Sequence, residues 1–170
     1  MSSTTIVRER APAAFPFLLA ALALAAAVLA LVAWRWNDSE SRGATSIPVL
    51  ELGTQGDSMV FDRTELKARA GAMMKVVFHN NSRLVAMGHN WVLVQPGTEQ
   101  TVAAAGAAAG PENDYLRPND PNVIAFTKLS APGESSSVTF VAPPPGNYPY
   151  FCAFPGHQAV MKGTLVVSAP

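Results

Sequence analysis

One cysteine and three histidines are the only thiol and imidazole groups in this 170-residue chain. A lone cysteine excludes an intramolecular disulfide, a four-cysteine zinc site and a two-cysteine dinuclear copper centre. It also excludes an iron–sulfur cluster held by this chain's cysteines alone. With only His79, His89 and His157, one mononuclear metal site is feasible and a second histidine-rich site is not, which argues against a multicopper enzyme. Net charge is lacking too: 12 basic residues balance 12 acidic ones. From residue 47 onward nine acidic side chains face eight basic ones, for a net charge of −1. No basic stripe exists, so no nucleic-acid partner is expected. Internal repeats are absent as well.

Charge is also missing from residues 11–34, which run Ala-Pro-Ala-Ala-Phe-Pro-Phe-Leu-Leu-Ala through Leu-Val-Ala-Trp. About 20 apolar residues span a bilayer core as a helix, whereas the apolar part of a signal peptide usually runs only ~7–15 residues. Trp34 and Trp36 close the segment as rings at a membrane–water boundary do. The expectation is a cytoplasmic segment at 1–12, a single-pass transmembrane anchor at 13–36 and a flexible polar linker at 37–46. One domain, 47–170, then lies on the periplasmic side of the cell membrane. Arg8 and Arg10 precede the apolar run and Arg35 and Arg42 follow it, so the charge bias that sets orientation is weak. The alternative is a signal peptide cut near residues 28–36.

The domain reads as short strands between turn residues: Ile47–Leu52, Met59–Phe61, Met73–His79, Trp91–Gln95, Val123–Leu129, Ser136–Val141, Asn147–Cys152 and Gly163–Val167. Asn80-Asn81-Ser82, Pro132-Gly133, Pro143-Pro144-Pro145-Gly146 and Pro155-Gly156 supply turns. Strands at this spacing predict an all-β fold, a Greek-key sandwich or barrel of about eight strands. Ala-rich Thr98–Gly110 breaks the pattern, as a short helical insert of one or two turns or as a mobile loop.

One loop gathers unusual chemistry. Cys152, His157 and Met161 follow the spacing Cys-x4-His-x3-Met. Thiolate and thioether are soft donors and imidazole serves both copper oxidation states, so two histidines, one cysteine and a weak axial methionine suit blue copper. His89, in Met87-Gly88-His89-Asn90-Trp91, supplies the second imidazole better than His79, which resembles an ordinary strand-end histidine. Gly88 permits close backbone approach to a metal, and its carbonyl is a candidate distant donor. Asn90 is placed to tie down the neighbouring ligand loop. Each residue has a plainer reading: Cys152 as core filler or nucleophile, His157 as a titrating turn residue, Met161 as core. Zinc on Cys152, His89 and His157 is chemically conceivable but has no need of Met161.

Met87–Leu93, Asp114-Tyr115-Leu116-Arg117-Pro118, Val123–Leu129 and the run from Phe151 to Leu165 resemble azurin. With an apolar N-terminal segment, the chain is similar to the auracyanins, blue copper proteins of photosynthetic bacteria. The resemblance covers nearly all of 47–170 and implies the cupredoxin fold. It also implies one type 1 copper held by His89, Cys152 and His157 in a plane, with Met161 and the Gly88 carbonyl axial. Two departures stand out: the azurin disulfide cannot form, and Phe126 replaces a histidine. The function expected is single-electron transfer without enzymatic activity or a small-molecule substrate. A quinol-oxidising complex or cytochrome would donate, and a photosynthetic reaction centre or cytochrome would accept. The rival is copper storage or delivery. Leu84–Thr98 and Ser135–Met161 carry no Lys, Arg, Asp or Glu, so both ligand-bearing segments present an uncharged pole to redox partners.

Overall fold

The computed structural model describes residue 24, residues 26–35 and residues 47–170. The expected cytoplasmic segment and linker lie outside the described residues, as does most of the expected anchor. Residues 26–35 are helical and exposed. Among the described residues no helix is long and apolar enough to cross a membrane. The chain divides into two compact units, Met1–Ser46 and Ile47–Pro170; the second carries all that follows.

Eight strands build it: β1 (Val49–Gly53), β2 (Glu65–Arg69), β3 (Met73–His79), β4 (Val92–Val94), β5 (Val123–Phe126), β6 (Ser135–Val141), β7 (Gly146–Phe151) and β8 (Lys162–Ser168). One sheet has the order β1-β3-β6 and the other β2-β8-β7-β4-β5. β1 lies parallel to β3 and β2 parallel to β8, and the remaining pairs are antiparallel. In β3, Met74, Val76 and Phe78 alternate inward while Met73, Lys75 and Val77 turn away. That two-residue period is what one sheet face against a core demands.

The inner faces of both sheets meet over Leu52, Phe61, Leu66, Val76, Phe78, Trp91, Leu93, Tyr150 and Leu165, all buried. Phe61 contacts Phe78 and Tyr150 edge to face, with centroids 5.9 and 5.4 Å apart, the arrangement aromatic quadrupoles favour. A smaller cluster of Val92, Val94, Val102, Leu116, Phe151 and Ala153 lies on the opposite face of β4. Sandwiched between two clusters, β4 is apolar at every position.

Two expectations require correction. Met59–Phe61 forms no strand; Phe61 holds only an isolated bridge to Thr54, and its ring plugs the core from a turn. The strand there is Glu65–Arg69 instead. Its Glu-Leu-Lys-Ala-Arg sequence offers little apolar signal because it is an edge strand burying Leu66 alone, and charge on an edge discourages pairing with other chains. The Ala-rich insert is a helix of 11 residues, Glu99–Ala109, about three turns rather than one or two. Val102 and Gly106 are its buried positions. A Cβ at Gly106 would collide with the Tyr115 carbonyl, so glycine there lets the helix seat on the 113–116 segment.

Candidate metal centre

β7 ends at Phe151 and delivers Cys152, while His89 lies three residues before β4. Since β4 and β7 are adjacent and antiparallel, the end of one meets the start of the other at a single pole. His89 is locked by reciprocal backbone hydrogen bonds with Ser130, at 3.1 and 2.8 Å. The buried Asn80 amide donates to the carbonyls of Met87 (2.8 Å) and Ser130 (2.9 Å), fixing the His89 loop on both sides.

The second loop closes on itself. The Cys152 N–H donates to the Met161 carbonyl (3.0 Å), and the Met161 N–H donates to the His157 carbonyl (2.7 Å). Between them Pro155-Gly156 reverses the chain, and Gly156 has φ 87° with nothing near its missing Cβ. That glycine is needed for its left-handed backbone, not for space. A short 3₁₀ turn, His157–Ala159, follows and turns the imidazole inward.

The result is a triangle of donor atoms. Cys152 Sγ lies 3.6 Å from His89 Nδ1 and 3.6 Å from His157 Nδ1, and the two nitrogens are 3.2 Å apart. A point equidistant from three such corners lies about 2.0 Å from each. That matches the roughly 2.0–2.3 Å at which zinc, copper's neighbour in the same row, holds imidazole and thiolate. All three residues are buried, and no carboxylate shares the cluster among the described residues. A soft sulfur with two borderline nitrogens, and no hard oxygen, is a donor set for copper or zinc rather than magnesium or calcium. The residues fit the metal their spacing suggests.

The other candidates fall on either side. Met161 is fully buried in the same apolar cluster as Cys152, and Gly88 adjoins His89 half-buried. His79 stands apart, its Nδ1 2.7 Å from the Ser135 hydroxyl.

Burial sets the protonation of the metal-free site. Loss of water pushes the His89 imidazole down to about 4, with the neighbouring His157 adding to the effect, and desolvation lowers His157 as well. Both rings are therefore neutral donors at neutral pH. The Cys152 thiol is pushed up to about 11 by burial, although the backbone N–H groups of Asn90 and Phe154 pull the other way. Metal binding must displace that one proton.

These shifts carry a stability signature. Unfolded, His89 takes up a proton below its ordinary 6.5, but folded it resists until about 4. The unfolded state binds more protons across that window, so stability falls as pH drops through it. An unfolded Cys152 ionises above its ordinary 9.0, but folded only near 11; stability then falls as pH rises between those values. The melting temperature of the metal-free protein should hold a plateau from pH 6.5 to 9 and decline on both sides. A midpoint that rises on acidification from 6.5 toward 4 would contradict the buried neutral imidazoles.

Two supports, Asn80 and Tyr115, were not legible in the sequence, and Phe154 links the second of them to the site. Asn80 precedes a plain turn, and only the fold aims its amide at the His89 loop. Phe154 stacks on His157 with ring centroids 4.5 Å apart. Tyr115 meets Phe154 edge-on at 5.2 Å, so the helix seated on Tyr115 through Gly106 braces the imidazole indirectly. Asn90, singled out by its place beside His89, does bridge loops: its Oδ1 accepts the Ala153 N–H (2.8 Å), and its Nδ2 donates to the Asp114 carbonyl (2.9 Å).

Residues 48–168 match the family described as copper-binding proteins, plastocyanin/azurin family. Auracyanin-A of Chloroflexus aurantiacus is 41% identical over 121 residues, covering 70% of this chain and 74% of that protein. Azurin of Achromobacter denitrificans is 54% identical over 87 residues, covering 49% and 58%. Among solved structures, auracyanin A, a "blue" copper protein from the green thermophilic photosynthetic bacterium Chloroflexus aurantiacus, superposes with a TM-score of 0.68 at 40% identity. It covers 72% of this chain and all of that one. Dithionite-reduced auracyanin from Roseiflexus castenholzii gives 0.66 at 35% identity, covering 72% and 98%.

Proposed function

The chain belongs to the plastocyanin/azurin family of copper-binding proteins, and from that premise we propose a membrane-tethered carrier of single electrons with His89, Cys152, His157 and Met161 as its copper ligands. Its cofactor is a single type 1 copper and it is not an enzyme. The observation that carries the ligand assignment is the buried triangle of Cys152 Sγ, His89 Nδ1 and His157 Nδ1. Met161 would be a further, weaker donor, because it is buried in the same cluster as Cys152 and tied to it through the backbone, and the Gly88 carbonyl would be another.

Bound copper supplies one-electron exchange between Cu(I) and Cu(II). The protein's part is to change little as that happens. Reciprocal bonds hold His89 to Ser130, the Cys152–Met161 backbone bond clamps the ligand loop, and Asn90 joins the two loops. A site so braced reorganises little, which favours fast transfer. The apolar surroundings of the Cys152 sulfur disfavour additional positive charge and so favour the reduced state.

Redox proteins are the partners. The proposed contact is the uncharged pole around His157, with Phe154, Pro155, Ala159 and Val160, the last 54% exposed, a patch suited to the small interfaces of transient redox encounters. The proposed organisation is a cytoplasmic segment 1–12, anchor 13–36, linker 37–46 and copper domain 47–170 outside the cytoplasm. Similarity to auracyanins supports a place between a quinol-oxidising complex or cytochrome and a photosynthetic reaction centre or cytochrome. Sedimentation of the native chain with membranes after an alkaline wash tests the tether; release into the supernatant would contradict it.

Voltammetry of the copper-loaded full chain tests the carrier reading, which requires a reversible one-electron wave. Met161→Leu should raise that potential and keep the blue colour, because losing a donor disfavours Cu(II) more than Cu(I). A lowered potential would count against Met161 as a donor.

A further inference from the structure

The geometry points to a second interaction surface, at the pole opposite the metal centre, that rests on an anionic lipid bilayer. β3 starts at Met73 and ends at His79, next to the Asn80 that anchors the His89 loop. β7 starts at Gly146 and ends beside Cys152. The starts of both strands therefore lie at the pole away from the metal, together with the first residues of β1 and the last of β2, β6 and β8.

That pole exposes a group of aliphatic side chains. Val141 pairs with Met73, and Val49 with Lys75, in adjacent registers. All four point away from the core, because Leu50, Met74 and Phe140 point toward it. Val49, Met73 and Val141 are 52%, 52% and 56% exposed, and Ile47 is 41% exposed. Scattered exposed aliphatics mean little, but a row across three strands marks a contact surface.

Charge completes the pattern. Residues 47–50, 67–75, 139–147 and 166–170 contain Lys67, Arg69 and Lys75 and no acidic residue, although the domain as a whole is slightly acidic; Glu65, just outside them on the edge strand, pairs with Lys67 at 3.2 Å, so Arg69 and Lys75 carry most of the positive charge of this surface. Lys67 and Arg69 flank a groove of about 400 Å³ between the β1 and β2 edges, floored by Leu50, Ala68, Ala72 and Met74. Cations around an apolar floor complement lipid headgroups above acyl chains better than they complement a protein of this domain's own charge. Position along the chain favours the same occupant: Ile47 opens this pole, and the uncharged run 11–34 ends 13 residues before it. A seven-residue strand rises about 20 Å, so a domain standing on this pole holds the metal centre roughly that far above the headgroups, facing soluble redox partners.

Hydrogen exchange on the copper-loaded full chain tests this, using phosphatidylcholine vesicles with and without phosphatidylglycerol. With the anionic lipid, amides in 47–50, 70–75 and 141–146 should gain protection while those in 154–160 stay unchanged. High salt should erase the gain, since the attraction decays within a Debye length. Each neutralisation, Arg69→Gln or Lys75→Gln, should cut it about fivefold. Met73→Asp with Val141→Asp should weaken it on the anionic vesicles as well. The blue band, read on every variant, reports an intact fold and metal site separately from lipid contact. Equal exchange on both vesicles, or protection at 154–160 instead, overturns the proposal. So does protection that grows with protein concentration in lipid-free detergent, which would make the occupant a second copy of this chain.

Discussion

Cys152→Ser should abolish the intense orange-red absorption of the Cu(II)-loaded protein and should weaken copper binding more than any other single substitution in the domain. The chain has no second cysteine, so no other thiolate can substitute. A serine hydroxyl does not ionise at neutral pH and is a hard donor, poorly matched to Cu(I). Loss of an outer hydrogen-bond partner typically costs a metal site about 10–100-fold in affinity, and loss of the thiolate itself should exceed that. The fold should survive. Cys152 is fully buried, and a bare hydroxyl there would cost about 1–3 kcal/mol, but the Asn90 and Phe154 N–H groups that face the sulfur can face the oxygen. Visible spectra and calorimetric copper titration of a variant that still melts cooperatively decide the matter. Retained colour would show that the chromophore is not this thiolate.

Asn90→Ala is the second large effect, and it reaches the site without touching a proposed ligand. The side chain is fully buried and serves two backbone groups, the Ala153 N–H and the Asp114 carbonyl. Alanine strands both, and each buried orphan costs about 1–3 kcal/mol. A loss of about 2–5 kcal/mol should lower the melting temperature of a domain this size by roughly 10–20 °C. With the two loops no longer joined, copper affinity should fall about 10–100-fold and the blue band should broaden. A variant that melts and binds copper like the parent would show that the backbone alone holds the loops together.

How far the sequence disclosed all this depended on which forces were local. β3 is readable because Met74, Val76 and Phe78 alternate with outward residues and turn signals follow His79. β2 is not, because an edge strand burying only Leu66 leaves no apolar period; its parallel partner β8 lies about a hundred residues away. Phe61 misleads for the converse reason: a bulky apolar residue among short ones looks like strand, yet it fills the core from a turn. The helix was ambiguous because Gly106 and Gly110 interrupt an alanine run, and only contact with Tyr115 explains the first.

At the metal centre, Cys152, His157 and Met161 share one loop, so their spacing alone is the signal for proposing them together. His89 comes from 63 residues earlier, and its approach follows from the way a sandwich collects loops at its poles. Asn80 and Tyr115 could not be read this way. Their roles depend on orientation after folding, and neither an asparagine in a turn nor a tyrosine from a distant segment advertises its target.

The most direct measurement is a titration of the metal-free full chain with Cu(II), followed in the visible. An orange-red band that grows linearly, stops at one equivalent, bleaches with a mild reductant and returns on reoxidation is the predicted result. A pale complex, or saturation at any other stoichiometry, would contradict a single cupric ion bound to Cys152 between two imidazoles.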